Sequence, residues 1–99
     1  MPTFMCFLNW TDQGAKNAKD PNKRYQASRS MAEKLGGKLL SAYVTTGQYD
    51  VVLTLEMPNG EAMAKFASAI SGSGNARTTT VRAYAPDEFS KLVAEAPKM

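Results

Sequence analysis

The sequence predicts a single α+β domain spanning residues 1–99, and three observations support this class. The chain has 99 residues, which is the usual size of one domain. Short runs of β-branched, aromatic and aliphatic residues alternate with two longer segments in which apolar residues recur at helical spacing. The resulting order is strand, helix, strand, strand, helix, strand and a terminal helix, which is the split βαββαβ arrangement of ferredoxin-like folds.

The first strand and the first long helix are marked by composition and by capping residues. Residues 4–10 are short, aliphatic and aromatic, as expected for a buried strand. Thr11 and Asp12 can cap a helical turn, and Asp20-Pro21 is a second start signal. The helix that follows ends at Gly36-Gly37. Its residues at helical spacing are Tyr25, Ser28, Met31, Ala32 and Leu35.

A hairpin, a second helix and a last strand complete the predicted core of the domain. Residues 39–46 and 49–56 are β-prone, and Gly47-Gln48 between them fits a type II′ turn. Asn59 can cap the next helix. The apolar stripe of that helix is Ala62, Met63, Phe66, Ala67 and Ile70. Residues 76–84 are predicted to form the last strand, and Pro86 opens a short terminal helix.

The hairpin turn fixes the strand register and therefore sorts the side chains between the two faces of the sheet. The helix-facing set is predicted to be Phe4, Cys6, Leu8, Leu40, Ala42, Val44, Val51, Leu53, Leu55, Val81 and Ala83. The opposite face, here called the open face, is predicted to carry Met5, Phe7, Asn9, Leu39, Ser41, Tyr43, Thr45, Asp50, Val52, Thr54, Glu56, Thr78, Thr80, Arg82 and Tyr84.

The predicted open face is too apolar for an ordinary solvated sheet. Met5, Phe7 and Val52 are among its members, and a face with this much apolar area is normally covered. Two copies packed sheet against sheet about a two-fold axis would cover it, so a homodimer or a higher homo-oligomer is expected. The alternative is that the terminal helix folds back over part of the same face.

Composition excludes several classes of function. The chain has no histidine, so the usual proton-transfer and metal-binding side chain is missing, and its single cysteine excludes disulfide frameworks and Cys-based zinc sites. Twelve basic against nine acidic residues give a net charge of +3, which is mild for a nucleic-acid binder. Residues 1–8 are too short an apolar run for a membrane span and lack the marks of a signal peptide. We therefore expect a cytoplasmic protein without cofactor, metal, membrane or nucleic-acid partner.

Three separate segments resemble the GYD domain family. They are Trp10-Thr11-Asp12-Gln13-Gly14, Thr46-Gly47-Gln48-Tyr49-Asp50-Val51-Val52 and Gly74-Asn75-Ala76-Arg77-Thr78-Thr79-Thr80. The Gly, Tyr and Asp of the family name correspond here to Gly47, Tyr49 and Asp50. The resemblance implies a ferredoxin-like fold assembled as a dimeric α+β barrel, and it implies no particular reaction. This chain has Thr79 where the family often has Glu.

The three segments are predicted to meet at one edge of the sheet, where the first strand ends and the third and fourth begin. The candidate ligand-binding residues are Asn9, Trp10, Tyr43, Tyr49, Asp50, Arg77 and Thr78. In one interpretation the aromatic residues wall a pocket while Asp50 and Arg77 orient a polar ligand. In the other, Asp50 caps the turn or pairs with Arg77, and the aromatic residues are packing.

Binding of a small organic molecule in the barrel cleft is the function that the sequence favours. A cofactor-independent enzyme of the dimeric-barrel type, such as an oxygenase, decarboxylase or isomerase, is an alternative that rests on fold analogy, and no catalytic residue is assigned. A structural or partner-binding dimer without ligand is a third hypothesis. RNA binding is disfavoured because the third strand carries Asp50 and lacks the aromatic pattern of RNA-recognition modules.

Overall fold

Eight secondary-structure elements follow one another in the order β-α-α-β-β-α-β-α. The computed structural model describes residues 1–17 and 20–99. The strands are β1 (Thr3–Trp10), β2 (Lys38–Val44), β3 (Val51–Glu56) and β4 (Ala76–Ala83). The helices are α1 (Asp12–Asn17), α2 (Pro21–Lys34), α3 (Gly60–Gly72) and α4 (Pro86–Glu95). The predicted α+β class and ferredoxin-like order are confirmed.

The four strands form one antiparallel sheet in the order β2-β3-β1-β4. The predicted hairpin register is confirmed, with Ala42 opposite Leu53, Tyr43 opposite Val52 and Val44 opposite Val51. The central strand β1 pairs with β3 on one side and β4 on the other, so the amino-terminal ends of β3 and β4 lie beside the carboxyl-terminal end of β1.

Both long helices begin at the capping residues that the sequence indicates. The Asp20 carboxylate accepts a hydrogen bond from the Lys23 N–H at 3.1 Å, and Pro21 occupies the first turn of α2. The Asn59 side chain accepts from the Ala62 N–H at 2.8 Å at the start of α3. Each cap satisfies a backbone donor that has no partner within its helix.

The core lies between the sheet and the helices α2 and α3. Its completely buried side chains include Cys6 of β1, Leu55 of β3, Met57 just after β3, and Phe66 of α3. Helix α3 buries Ala62, Met63 and Phe66, as the apolar stripe predicts. Helix α2 is different, because Ala32 is its one buried residue. The helix layer is therefore closely packed under α3 and looser under α2.

The face predicted for the first residues of β2 is wrong. Leu39 lies opposite Leu55 and is 7% exposed, whereas Leu40 is 43% exposed. The pairing moves from Leu39 directly to Ser41, so Leu40 is the extra residue of a β-bulge. A one-residue insertion reverses the alternation of side chains before it and leaves the residues after it in the predicted phase.

The faces predicted for β4 are also wrong. Residues directly opposite one another in an antiparallel pair project to the same face. Thr78 lies opposite Leu8, Thr80 opposite Cys6 and Arg82 opposite Phe4, all three partners being buried residues of β1. The three β4 residues therefore lie on the helix side. Val81 and Ala83, which were predicted to face the helices, lie on the open face.

The loop between β2 and β3 is wider than the predicted two-residue turn. The Thr45 N–H donates to the Asp50 carbonyl at 2.9 Å, and the Thr45 hydroxyl donates to the Tyr49 carbonyl at 2.6 Å. Residues 46–48 form a bend between these two contacts. Gly47 has a φ of 119°, a conformation that favours glycine, so the sequence located the loop correctly but not its type.

Helix α4 does not cover the open face. All residues from 84 to 99 are exposed, including Phe89, Leu92 and Val93, which are 50%, 42% and 60% exposed. At its start the helix is held by an edge contact between Tyr84 and Phe89, whose ring centroids lie 5.6 Å apart. The radius of gyration is 15.0 Å, against about 13 Å for a compact chain of this length. The alternative in which the terminal helix folds back over the sheet is therefore wrong for the single chain.

Candidate ligand-binding site

The three family-like segments meet at one edge of the sheet, as predicted. The backbone N–H of Trp10 donates to Oδ2 of Asp50 at 2.8 Å, and the Asp50 N–H donates to the Leu8 carbonyl at 2.9 Å. Asn9 lies opposite Arg77 in the pairing of β1 with β4. On the other side of this junction the Thr11 N–H donates to the Asn75 carbonyl at 3.1 Å.

The sheet nevertheless divides the seven candidate residues between its two sides. Trp10 and Thr78 project toward the helices, and the Thr78 hydroxyl lies 3.4 Å from the hydroxyl of Ser71 in α3. The open face carries Asn9, Arg77 and Tyr43. Tyr49 also lies on that side, because its ring packs on Phe7 with centroids 4.7 Å apart. The seven residues therefore do not line one pocket within a single chain.

Asp50 has a structural contact in this arrangement. Its carboxylate joins the start of β3 to the end of β1 through the Trp10 N–H. The ion pairs formed by residues 1–17 and 20–99 are Arg29–Glu33 and Arg82–Glu88, so the expected alternative of an Asp50–Arg77 pair is wrong. Asp50 positions the backbone of Trp10 and, with it, the indole ring beside α2.

A cleft of about 270 Å³ lies between the amino-terminal half of α2 and the strands β1, β2 and β3. Its walls are mostly apolar or aromatic, and they include Leu8, Trp10, Tyr25, Tyr43, Val51 and Leu53. The polar lining side chains are Asn22, Arg24 and Ser28, all from α2. Such a mixture of apolar walls with a few polar groups is typical of a small-molecule site.

Trp10 and Arg24 line the cleft and contact one another. The Arg24 guanidinium carbon lies 4.5 Å from the centre of the Trp10 ring, within the range of a cation–π contact. A guanidinium nitrogen of Arg24 also donates to the Gly14 carbonyl in α1 at 3.3 Å. A second cavity, of about 190 Å³, lies toward α3 and shares Leu8, Trp10, Arg24 and Ser28 with the first. The Trp10–Arg24 pair therefore separates two spaces beneath the same helix.

Sequence reasoning found Trp10 and Tyr43 but missed the contribution of α2 to the cleft. A usable signal was present, since Tyr25 and Ser28 share the helix face with Met31 and Ala32. The hydroxyl groups of Tyr25 and Ser28 on a helix face directed at the core indicate that the packing there is less tight and that water or a ligand can enter. Arg24 had no comparable signal, because basic residues are common on helix surfaces.

Cys6 lies away from the cleft and is completely buried beneath the helices. Burial raises the pKa of its thiol, and the hydrogen bond from the Thr80 hydroxyl to Sγ opposes this rise to a smaller degree. A thiol with a raised pKa is a poor nucleophile at neutral pH. Within residues 1–17 and 20–99, no group of three or more acidic, cysteine or histidine side chains is arranged to hold a metal ion.

The sheet order and the helix layer define a ferredoxin-like α+β domain with a cleft beside its central strands. The chain belongs to the GYD domain family, whose model matches residues 4–93. A comparison with curated proteins finds no match. Among the described residues, no helix is both long enough and apolar enough to cross a membrane.

Solved structures with the same fold share little sequence with the chain. FFRP-DM1 is 20% identical with a TM-score of 0.61, and the match covers 85% of this chain and all of that one. TTHA0845 from Thermus thermophilus is 22% identical with a TM-score of 0.54, over 86% of this chain and 95% of that one. The leucine response regulatory protein LrpA of Mycobacterium tuberculosis is 14% identical with a TM-score of 0.54. That match covers 85% of this chain but 51% of LrpA, so the chain spans about half the length of that regulator.

Proposed function

We propose that this chain binds a small organic molecule, without catalysis, in the cleft between α2 and the sheet, and that it does so as a two-fold homodimer. The observation that carries the binding proposal is the cleft itself. Helix α2 buries Ala32 alone, and its amino-terminal half stands away from β1 and β3 over a space of about 270 Å³. A concave and mostly apolar cleft with a few polar groups is the usual form of a small-molecule site.

The walls of the cleft favour an apolar or aromatic occupant. The aromatic residues Trp10 and Tyr25 line the space together with Leu8, Val51 and Leu53. Tyr43 of β2 also belongs to the lining, although its side chain lies on the open face. A molecule that covers this surface gains about 25 cal/mol for each Å² of apolar area removed from water. The described lining residues include no carboxylate or thiol that could act as base or nucleophile, so binding accounts for the site better than the enzymatic alternative.

Three of the remaining candidate residues lie on the open face and would contribute to the dimer. Asn9, Tyr49 and Arg77 lie at the edge of that face, where a second copy would enclose them and form a rim around the barrel. Thr78 lies apart, against α3. Asp50 contributes by holding the Trp10 backbone.

The open face supports the dimer. Tyr43 and Val81 are 68% and 43% exposed, and Met5, Phe7 and Val52 lie between them on the central strands. The apolar residues Phe89, Leu92 and Val93 of α4 are likewise exposed. Contiguous apolar surface of this kind marks an interaction site, and an isologous contact between two copies would cover the same patch on each.

Size-exclusion chromatography with light scattering tests the dimer. We expect a species of twice 10.7 kDa at micromolar concentration. Val81→Lys places a charge on the open face and should shift the population toward the single chain, whereas Thr80→Lys, its neighbour on the helix side of the same edge strand, should not. A wild-type protein that remains at the mass of one chain would contradict the dimer.

The binding proposal is tested by filling the cleft. Ala42 lines the cleft, so a phenylalanine at this position should fill it. We expect Ala42→Phe to abolish the binding of two bicyclic aromatic probes, 2-naphthamide and 2-naphthoate. Isothermal titration calorimetry measures this binding. Ala64→Phe adds the same ring at an exposed position of α3 and should leave binding unchanged. Native mass spectrometry of the protein as purified is the complementary measurement, since a co-purified ligand would appear as an adduct. Wild-type protein that binds neither probe and carries no adduct would overturn the proposal.

A further inference from the structure

We infer that the cleft selects a planar apolar molecule that carries one carboxylate, with Arg24 as its counter-ion. This inference rests on the proposed binding function and adds the chemical class of the ligand. Arg24 is the one charged side chain among the described residues that line the cleft. The other polar lining groups, Asn22 and Ser28, are neutral hydrogen-bonding side chains.

Arg24 has donors left for a ligand. Its guanidinium packs over the Trp10 ring at 4.5 Å and donates to the Gly14 carbonyl at 3.3 Å. A guanidinium carries five N–H donors, so one carbonyl contact leaves most of them available. Within the described chain both ion pairs lie elsewhere, at Arg29–Glu33 and Arg82–Glu88. The lining of the cleft therefore carries one positive charge. The Asp50 carboxylate accepts the Trp10 N–H and is not among the lining residues.

The nearest acidic group on α2 does not compensate this charge. Asp20 is the N-cap of the helix, and its carboxylate accepts a hydrogen bond from the Lys23 N–H at 3.1 Å. It is exposed to solvent, where its field is strongly screened. Lys23, the other charged residue in this turn, is exposed and does not line the cleft.

The cation–π contact with Trp10 restrains the position of the guanidinium. A planar guanidinium presents paired N–H donors that match the two oxygens of a carboxylate, and this geometry makes the contact stronger than a hydrogen bond to a neutral group. The rest of the lining includes the aromatic residues Trp10 and Tyr25 and the apolar residues Leu8, Val51 and Leu53. A flat ring between them with its acid group toward Arg24 would satisfy both the apolar walls and the charge.

The volume sets the scale of the molecule. An apolar cavity of about 150 Å³ holds one benzene ring. A cleft of about 270 Å³ is nearly twice as large, which suits a bicyclic aromatic acid or a single ring with a short acidic chain. 2-Naphthoate and its neutral analogue 2-naphthamide are matched probes, because they share the ring system and differ in the charge of the head group.

Isothermal titration calorimetry with these two probes tests the inference. We expect the wild-type protein to bind 2-naphthoate at least tenfold more tightly than 2-naphthamide. Arg24→Gln should remove this preference by weakening the naphthoate affinity at least tenfold, with little change for the amide. Arg24→Lys keeps the charge and should retain part of the preference. Lys23→Gln removes the same charge from the neighbouring exposed position and should leave both affinities within about twofold.

The outcomes separate the ligand class from the binding function on which it rests. Equal binding of both probes by the wild type, or an equal loss of both in Arg24→Gln, overturns the assignment of an anionic ligand while the cleft remains a binding site. Binding of neither probe, without any adduct on the purified protein, overturns the binding function itself. Thermal unfolding followed by circular dichroism verifies that each variant is folded, and Arg24→Lys serves as the variant that keeps the positive charge without the planar guanidinium.

Discussion

The carboxylate of Asp50 accepts a hydrogen bond from the backbone N–H of Trp10 at 2.8 Å, across 40 positions of the chain. The contact lies where β1 ends and the chain turns into α1, beyond the last pair of the β1–β3 ladder, Leu8 with Val51. The Asp50 side chain therefore connects β1 and the start of β3 beyond the point where their backbone pairing ends. Because Trp10 also lines the cleft, the same contact fixes one wall of the candidate site.

Replacing Asp50 by Ala should destabilise the fold. The Trp10 N–H is partly buried and would lose a charge-assisted hydrogen bond, which contributes about 1.5–3 kcal/mol. Asp50→Asn keeps a carbonyl oxygen as acceptor and should lose less. Urea denaturation measures the free energy of unfolding. Glu95→Ala, which removes a carboxylate from the exposed end of α4, is the matched control, and equal stability of Asp50→Ala and Glu95→Ala would show that the contact contributes nothing.

The hairpin could be predicted in register because two local signals agree there. Gly47 marks the loop, and alternate apolar residues in both strands fix the phase from Ala42 to Val44. The phase of β4 had no such anchor, because no tight turn joins this edge strand to β1. Its apolar residues Val81 and Ala83 favoured the opposite phase, so Thr78 was assigned to the wrong face.

The bulge at Leu40 was hidden for a related reason. Leu39 and Leu40 are consecutive and chemically identical, so hydrophobic pattern alone does not tell which of them enters the core. The cleft depends on a different quantity, the distance at which α2 stands from the sheet. That distance is set by tertiary packing. The main sequence feature that indicates it is the polar residue Ser28 on the inner face of α2.

The bulge predicts a large loss of stability for one substitution and a small change for its neighbour. Leu39 is 7% exposed, so Leu39→Ala leaves a cavity that should cost about 2–5 kcal/mol. Leu40 is 43% exposed, and Leu40→Ala should change the stability of the single chain by less than about 1 kcal/mol. Urea denaturation at a concentration where the protein is monomeric makes the comparison. A larger loss of unfolding free energy for Leu40→Ala than for Leu39→Ala would contradict the bulge and support the regular register.

Gly14 should not tolerate even one methyl group. It is buried in α1, and a Cβ at this position would overlap the carbonyl of Asn75, which accepts the Thr11 N–H. The overlap forces α1 away from the start of β4, and such overpacking costs about 1–3 kcal/mol. Gly72→Ala is the control, because its Cβ would meet open space at the end of α3, and it should be neutral or stabilising by up to about 1 kcal/mol. Thermal unfolding of the two variants decides, and equal melting temperatures would contradict the close approach.

Cys6 should make the protein less stable at alkaline pH. Burial raises the pKa of its thiol, so the folded chain keeps the proton to a higher pH than the unfolded chain does. The stability linked to this proton is complete below the pKa of the unfolded thiol, about 8.5. It is lost as the pH rises from there toward the raised pKa of the folded state, with a limiting slope of about 1.4 kcal/mol per pH unit.

Cys6→Ala isolates this effect from the titration of lysine and tyrosine. The variant leaves a small cavity and should be less stable at neutral pH, but the difference from the wild type should shrink as the pH rises above about 8.5. Urea denaturation of both proteins across this range measures the difference. The same burial should make Cys6 unreactive toward an aromatic disulfide reagent in the native state and reactive in urea. A difference in stability that is constant with pH, together with rapid labelling of the native protein, would mean that the thiol is accessible and that β1 is not covered at this position.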